Sequence, residues 1–237
     1  MRNAAGVCTM IRMKRQLLIA TILLIFGTLQ VNAQAPKCDD AADDSHFSVL
    51  YENSRVRVLS LELGRLEATK LFAFKSPRMV VVTTESRTTS APSGVQGPTI
   101  SWRPGHIEFN WNTGCRIVRN ELSTTHKQIV VETLLPVHYD ELQDYEVMTD
   151  LSTVEPTSSV SLTRGALTAT RHQVASGDTA HLNGGDHVLI ALSDLQLSAD
   201  DDREISLSSQ EVKILHDDVG ALKNTGKNSA RFVVVDF

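Results

Sequence analysis

Asn120 is followed nine residues later by Ile129-Val130-Val131-Glu132, and Asn224 is followed nine residues later by Val233-Val234-Val235-Asp236, so two similar segments stand 104 residues apart. Upstream, Met79-Val80-Val81-Val82 leads into a Thr-rich stretch, and Val188-Leu189-Ile190-Ala191 leads into Ser193-Asp194. Recurrence at a fixed offset is the mark of an internal duplication. The repeated runs are short and β-branched, which suits strands buried on both faces. Arg55 to Leu63 alternates polar and apolar residues, the period of a half-buried strand. The sequence therefore predicts two β-rich halves with one plan.

Further strands are expected at Thr99 to Trp102, Ile107 to Trp111 and Ile129 to Thr133 in the first half. In the second half they are expected at Ser159 to Leu162, Ala166 to Arg171, Val188 to Leu192, Leu195 to Leu197, Ile205 to Leu207, Val212 to Leu215 and Phe232 to Phe237. Arg103-Pro104-Gly105 and Asn112-Thr113-Gly114 are turn signals. Ser86 to Pro98, rich in Ser, Thr, Gly and Pro, reads as a loop. Residues 34–45 are acidic and poor in large apolar side chains, a flexible segment. The expected organisation is a first domain over 46–135, a linker over 136–146 and a second domain over 147–237.

Arg12, Lys14 and Arg15 precede an apolar run from Leu17 to Leu29, and Val31-Asn32-Ala33 then supplies small residues at a cleavage position. This predicts a signal peptide over 1–33, with Met1, Met10 or Met13 as the start. The protein is expected to be exported, periplasmic or secreted, with no membrane association after cleavage. Cys8 leaves with the leader. Cys38 and Cys115 remain, and in an oxidising compartment they can pair or stay as two thiols. The net charge of -5 and an aromatic content of 5% give no footprint for nucleic acid. The acidic runs at Asp39-Asp40, Asp43-Asp44 and Asp200 to Asp202 lack the Gly and Glu spacing of a calcium loop and read as solvated loops.

Tyr51 to Leu59, Arg103-Pro104-Gly105-His106-Ile107, and Lys223-Asn224-Thr225-Gly226 followed by Ala230-Arg231-Phe232-Val233-Val234-Val235 resemble, in that order, the opening strand, the second motif and the closing strand pair of small bacterial cupins. The resemblance covers roughly residues 46–237 and implies an all-β fold of two tandem jelly-roll barrels, a bicupin. Cupins usually hold one metal per barrel with His-x-His, a Glu and a closing His, ligands suited to a divalent transition metal. This sequence departs from that set. Ala68 to Lys75 has no His, and the closing position four residues before Asn120 is Arg116. In the second half His181-Leu182-Asn183 replaces His-x-His, Asp186 and His187 stand near the Glu position, and Gly220 takes the closing position, with His216 four residues earlier.

The sequence thus predicts no cofactor. His181, His187 and His216 are the candidates for one relocated divalent metal in the second domain. Otherwise they are surface or rim histidines. There is no Gly-x-Ser-x-Gly, P-loop or Gly-x-Gly-x-x-Gly. Cys115 as a nucleophile would need a reduced thiol, which export disfavours. Glu108 and Glu132 can face inward or outward, and Trp102 and Trp111 are expected in core or rim packing rather than a sugar cleft. The expected function is binding of a small molecule or a partner, with a homodimer as one option. The alternative is a metal-dependent isomerase-like or oxygenase-like enzyme.

Overall fold

The alternation that begins at Val56 sends two sets of side chains to two different cores. The structure, a computed structural model, describes residues 37–92, 95–135, 160–216 and 219–237. The expected leader and linker lie outside the described residues. Eight strands of the first half are β1 Asp39–Asp40, β2 Phe47–Glu52, β3 Val56–Leu63, β4 Phe72–Ala73, β5 Arg78–Val82, β6 Ser86–Ala91, β7 Thr99–Trp102 and β8 Ile107–Asn110. β9 Ile117–Asn120 and β10 His126–Thr133 complete it. The second half contributes β11 Val160–Arg164, β12 Leu167–Val174, β13 Thr179–His181, β14 His187–Ala191 and β15 Leu195–Ala199. It ends with β16 Glu204–Leu207, β17 Val212–Leu215, β18 Ala221–Asn224 and β19 Ala230–Asp236.

The halves share a strand plan. Each has a five-stranded sheet, ordered β2-β3-β10-β5-β8 in the first and β11-β12-β19-β14-β17 in the second. Each also has a smaller sheet, β7-β6-β9 and β13-β18-β15-β16. Among the described residues no sheet closes on itself. In β3 and β10 the side chains of Val56, Val58, Ile129 and Val131 point to one face, and Leu59, Leu61 and Val130 to the other. The first set meets Leu167, Ala169, Val188, Ile190, Val233 and Val235 of the second half in one shared core. The two large sheets therefore pack against each other, which explains why their strands are apolar on both faces. Their remaining faces build a separate core in each half. Cys38–Phe237 accordingly forms one compact unit. Gly105 sits in the turn between β7 and β8 at φ +85°, where an added Cβ would stand 2.8 Å from Leu192 of the other half.

The repeated asparagines do the same job in both halves. Asn120 Nδ2 donates to the carbonyls of Gly64 (2.9 Å) and Thr124 (2.6 Å), tying the end of β3 to the turn before β10. Asn224 Nδ2 donates to Val174 O (2.9 Å) and Asn228 O (2.8 Å), tying the end of β12 to the turn before β19. The spacing of 104 thus marks a structural pin that a buried amide supplies.

Two expectations about loops need correction. Ser86–Ala91 is a strand, not a loop, because Ser86 and Thr88 turn inward while Arg87 faces solvent. Its polar inward residues hide the period of two, and Trp102 Nε1 donates to Thr88 Oγ1 at 2.7 Å to satisfy one of them. Asp39–Asp40 and the 3-10 helix Ala41–Asp43 stand where the sequence predicts a flexible segment. They are held by parallel pairing of β1 with β4, and by a disulfide between Cys38 and Cys115. Asp40 adds an ion pair to Arg57 at 2.9 Å.

Candidate functional site

The inward face of the second five-stranded sheet carries polar residues at one end. Thr170 and His172 come from β12, and Val234 and Asp236 from β19. His181 ends β13, and Leu182 and Asn183 follow it. Together with Ser161 they line a cavity of about 200 Å³. Its one carboxylate is firmly placed: Asn183 Nδ2 donates to Asp236 Oδ2 at 2.7 Å, and His187 Nδ1 lies 2.8 Å from Asp236 Oδ1. An ionised carboxylate only accepts, so His187 donates through Nδ1, and the other ring nitrogen is Nε2. That Nε2 is buried and has no hydrogen-bond partner. The His172 ring stacks on Phe232 at 5.0 Å. Burial lowers the His172 pKa, against the opposing pull of Asp236, so this imidazole is neutral at pH 7. The cavity offers a carboxylate, further acceptors and the neutral imidazole of His172, a surface suited to a ligand that donates hydrogen bonds.

The three candidate histidines separate. His181 lines the cavity, and His187 holds the carboxylate that lines it. His187 was expected in a loop or rim; it opens strand β14 and is 0% exposed. The two glycines before it suggest a loop, but the loop ends one residue earlier than they imply. His216 is not brought to the cavity. Leu215, paired opposite His187, is buried in the inward core, so the next residue leaves the site. His216 is 62% exposed and lies 3.1 Å from Asp186. Sequence reasoning missed His172 and Asp236. Their signal was position on alternating strands, but only strand register places them together.

Register also shows which residues correspond between halves. In β5, Arg78 pairs opposite Glu132 of β10; in β14, His187 pairs opposite Asp236 of β19. The first half has placed cations where the second has histidine. Glu132, 0% exposed, faces inward and accepts from Arg57 Nε at 2.6 Å and from the Lys75 N–H at 2.8 Å. Burial pushes the Glu132 pKa up, and Arg57 pulls it back. Arg57 also donates to Asp40, forming a chain of acid, base and acid that anchors the segment after Cys38. Glu108 is half-buried on β8, beside Arg78 and Arg116. Trp102 is buried, while Trp111 is 53% exposed, so only the first is core.

A metal does not fit either place. In the first half the position is taken by arginine, which is never a neutral donor. In the second, Asn183 is spent on Asp236 and His216 faces away. Among the described residues no group of three or more His, Cys, Asp or Glu side chains is placed to hold a metal ion.

No protein-family model matches this sequence, and no curated protein matches it. Solved structures do. AerE from Microcystis aeruginosa is similar at a TM-score of 0.56 and 11% identity, over 81% of this chain and 97% of that one. A cupin 2 conserved barrel domain protein from Leptotrichia buccalis is similar at 0.54 and 12%, over 85% of this chain and 91% of that one. A salicylate 1,2-dioxygenase variant from Pseudoaminobacter salicylatoxidans is similar at 0.53 and 10%, over 78% and 71%. At these identities the likeness is one of fold.

Proposed function

We propose, for a chain with the fold of the cupins, that it is an exported protein whose halves are two tandem jelly-roll units and that it binds a small polar molecule in its second half. The metal centre usual in that fold is absent from the reading. One observation carries it: a polar cavity of about 200 Å³ lies on the inward face of the second sheet, with Asp236 fixed between His187 and Asn183. Six polar side chains converge there beside only two apolar ones, Leu182 and Val234, a lining that suits a small polar ligand. The carboxylate and the neutral His172 imidazole favour a neutral or cationic ligand that donates hydrogen bonds, such as a polyol, a sugar or an amine. Nothing in the cavity is arranged as a nucleophile with its base, so binding rather than turnover is the reading.

Thermal-shift screening of monosaccharides, polyols and small amines tests it. A binder should raise the melting temperature of the wild type and lose that effect in Asp236→Asn and in His181→Ala. If every stabilising compound acts equally on wild type and on both variants, the cavity is not the site.

A further inference from the structure

The first half has its own unpaired donors at the position that corresponds to the cavity. Arg78, opposite Glu132 in the register, is 1% exposed. Its guanidinium lies 3.8 Å from the centroid of the Phe74 ring. One terminal nitrogen donates to Asn112 O at 2.9 Å. Arg116, half-buried, donates to the same oxygen at 2.9 Å. Two guanidinium groups thus converge on one neutral carbonyl, and the Nε of each is buried without a partner. Unmade hydrogen bonds from buried charged donors are costly, so such groups mark a missing acceptor.

The nearby acids do not supply it. Both oxygens of Glu132 are engaged by Arg57 and by the backbone of Lys75 and Ser76. Glu108 Oε1 accepts from Asn110 at 3.3 Å, and its charge is one against two. Burial, with the repulsion of Arg116, lowers the Arg78 pKa to about 9, so it remains a cation at neutral pH. The Asn112 turn that both arginines hold is itself exposed, over Trp111, Asn112, Thr113 and Gly114.

We propose that Arg78 and Arg116 form a binding site for a small carboxylate in the first half, next to the Asn112 turn. A carboxylate has two coplanar acceptors and one charge, which matches two guanidinium edges and the single uncompensated positive charge. The planar pair of carboxylate oxygens suits two guanidinium edges better than a tetrahedral inorganic anion does. The two halves would then take ligands of opposite character, a carboxylate in the first and a hydrogen-bond donor in the second.

Isothermal titration of the purified protein with sodium acetate and sodium benzoate, at constant ionic strength in chloride, tests this. Inorganic phosphate serves as the comparison anion. The expected result is saturable binding of one carboxylate per chain, with affinity lowered at least about tenfold in Arg116→Gln. Arg119→Gln, an exposed neighbour, should bind as wild type. Asp236→Asn should also leave it unchanged, which separates this site from the second-half cavity. Because Arg78 variants can fail to fold, its role is read in the wild type: the Nε–H resonances of Arg78 and Arg116 should shift as benzoate is added. No saturable binding of either carboxylate would overturn the proposal. So would an unchanged affinity in Arg116→Gln, or phosphate binding as tightly as benzoate.

Discussion

Replacing Glu132 with glutamine removes one charge from a pair that water does not reach. Arg57 and Glu132 are 1% and 0% exposed, so solvent screening is slight. The carboxylate holds Arg57 at 2.6 Å and a backbone N–H at 2.8 Å. Glutamine keeps the shape but turns an NH2 group toward a guanidinium, donor against donor. Removing one partner of a buried pair costs about 3–5 kcal/mol. Here Asp40 stays on Arg57, at 2.9 Å, so the lower end applies, about 3 kcal/mol. In a chain of this size that lowers the melting temperature by about 6–12 °C. Arg57→Met should cost less, about 2 kcal/mol, because a lone carboxyl can take up a proton whereas a guanidinium cannot lose one. The double substitution should therefore cost much less than the two singles added. Urea unfolding followed by the fluorescence of buried Trp102 measures all four proteins. If Glu132→Gln unfolds within about 1 kcal/mol of wild type, or the two changes add, the pair is not the structural element described.

Three other outcomes follow from the structure. Burial lowers the His126 pKa to about 4, from an ordinary 6.5, so the folded state resists protonation that the unfolded state accepts. Stability should be whole above pH 6.5 and fall by about 1.4 kcal/mol per unit between there and pH 4, with His126→Asn flattening the slope in pH-dependent urea titrations. Cys38→Ser opens a bridge between residues 77 apart and should cost on the order of 4 kcal/mol, read by urea unfolding beside a reduced wild-type control. Ile190→Ala and Val131→Ala remove side chains from opposite halves of one core; each should cost about 2–4 kcal/mol and shift a single calorimetric transition rather than one of two.

The repeat and the strand alternation were legible because they are local. Asn120 and Asn224 sit at one spacing, and each pins the same turn. The face of each strand was less legible. Arg57 reads as an outward polar residue in an alternating strand and Glu132 as able to face either way, yet both point inward, where the segment after Cys38 supplies a third charge. Ser86 and Thr88 hide a strand for the same reason: their polarity is satisfied by Trp102 and His126 from elsewhere in the sequence. The second-half site was half visible. His181 and His187 flank a glycine pair and draw the eye, but Asp236 and His172 join them only through the register of β12, β14 and β19. His216 fails for a parity reason, one residue beyond the inward-facing Leu215.

The proposed second-half site is a polar binding cavity without a metal. Elemental analysis of the purified protein, loaded with iron, manganese, zinc or nickel and then dialysed, tests it most directly. Metal should stay far below one atom per chain, with the same trace level in a His181→Ala/His187→Ala variant. One tightly held atom per chain, lost in that variant, would contradict it.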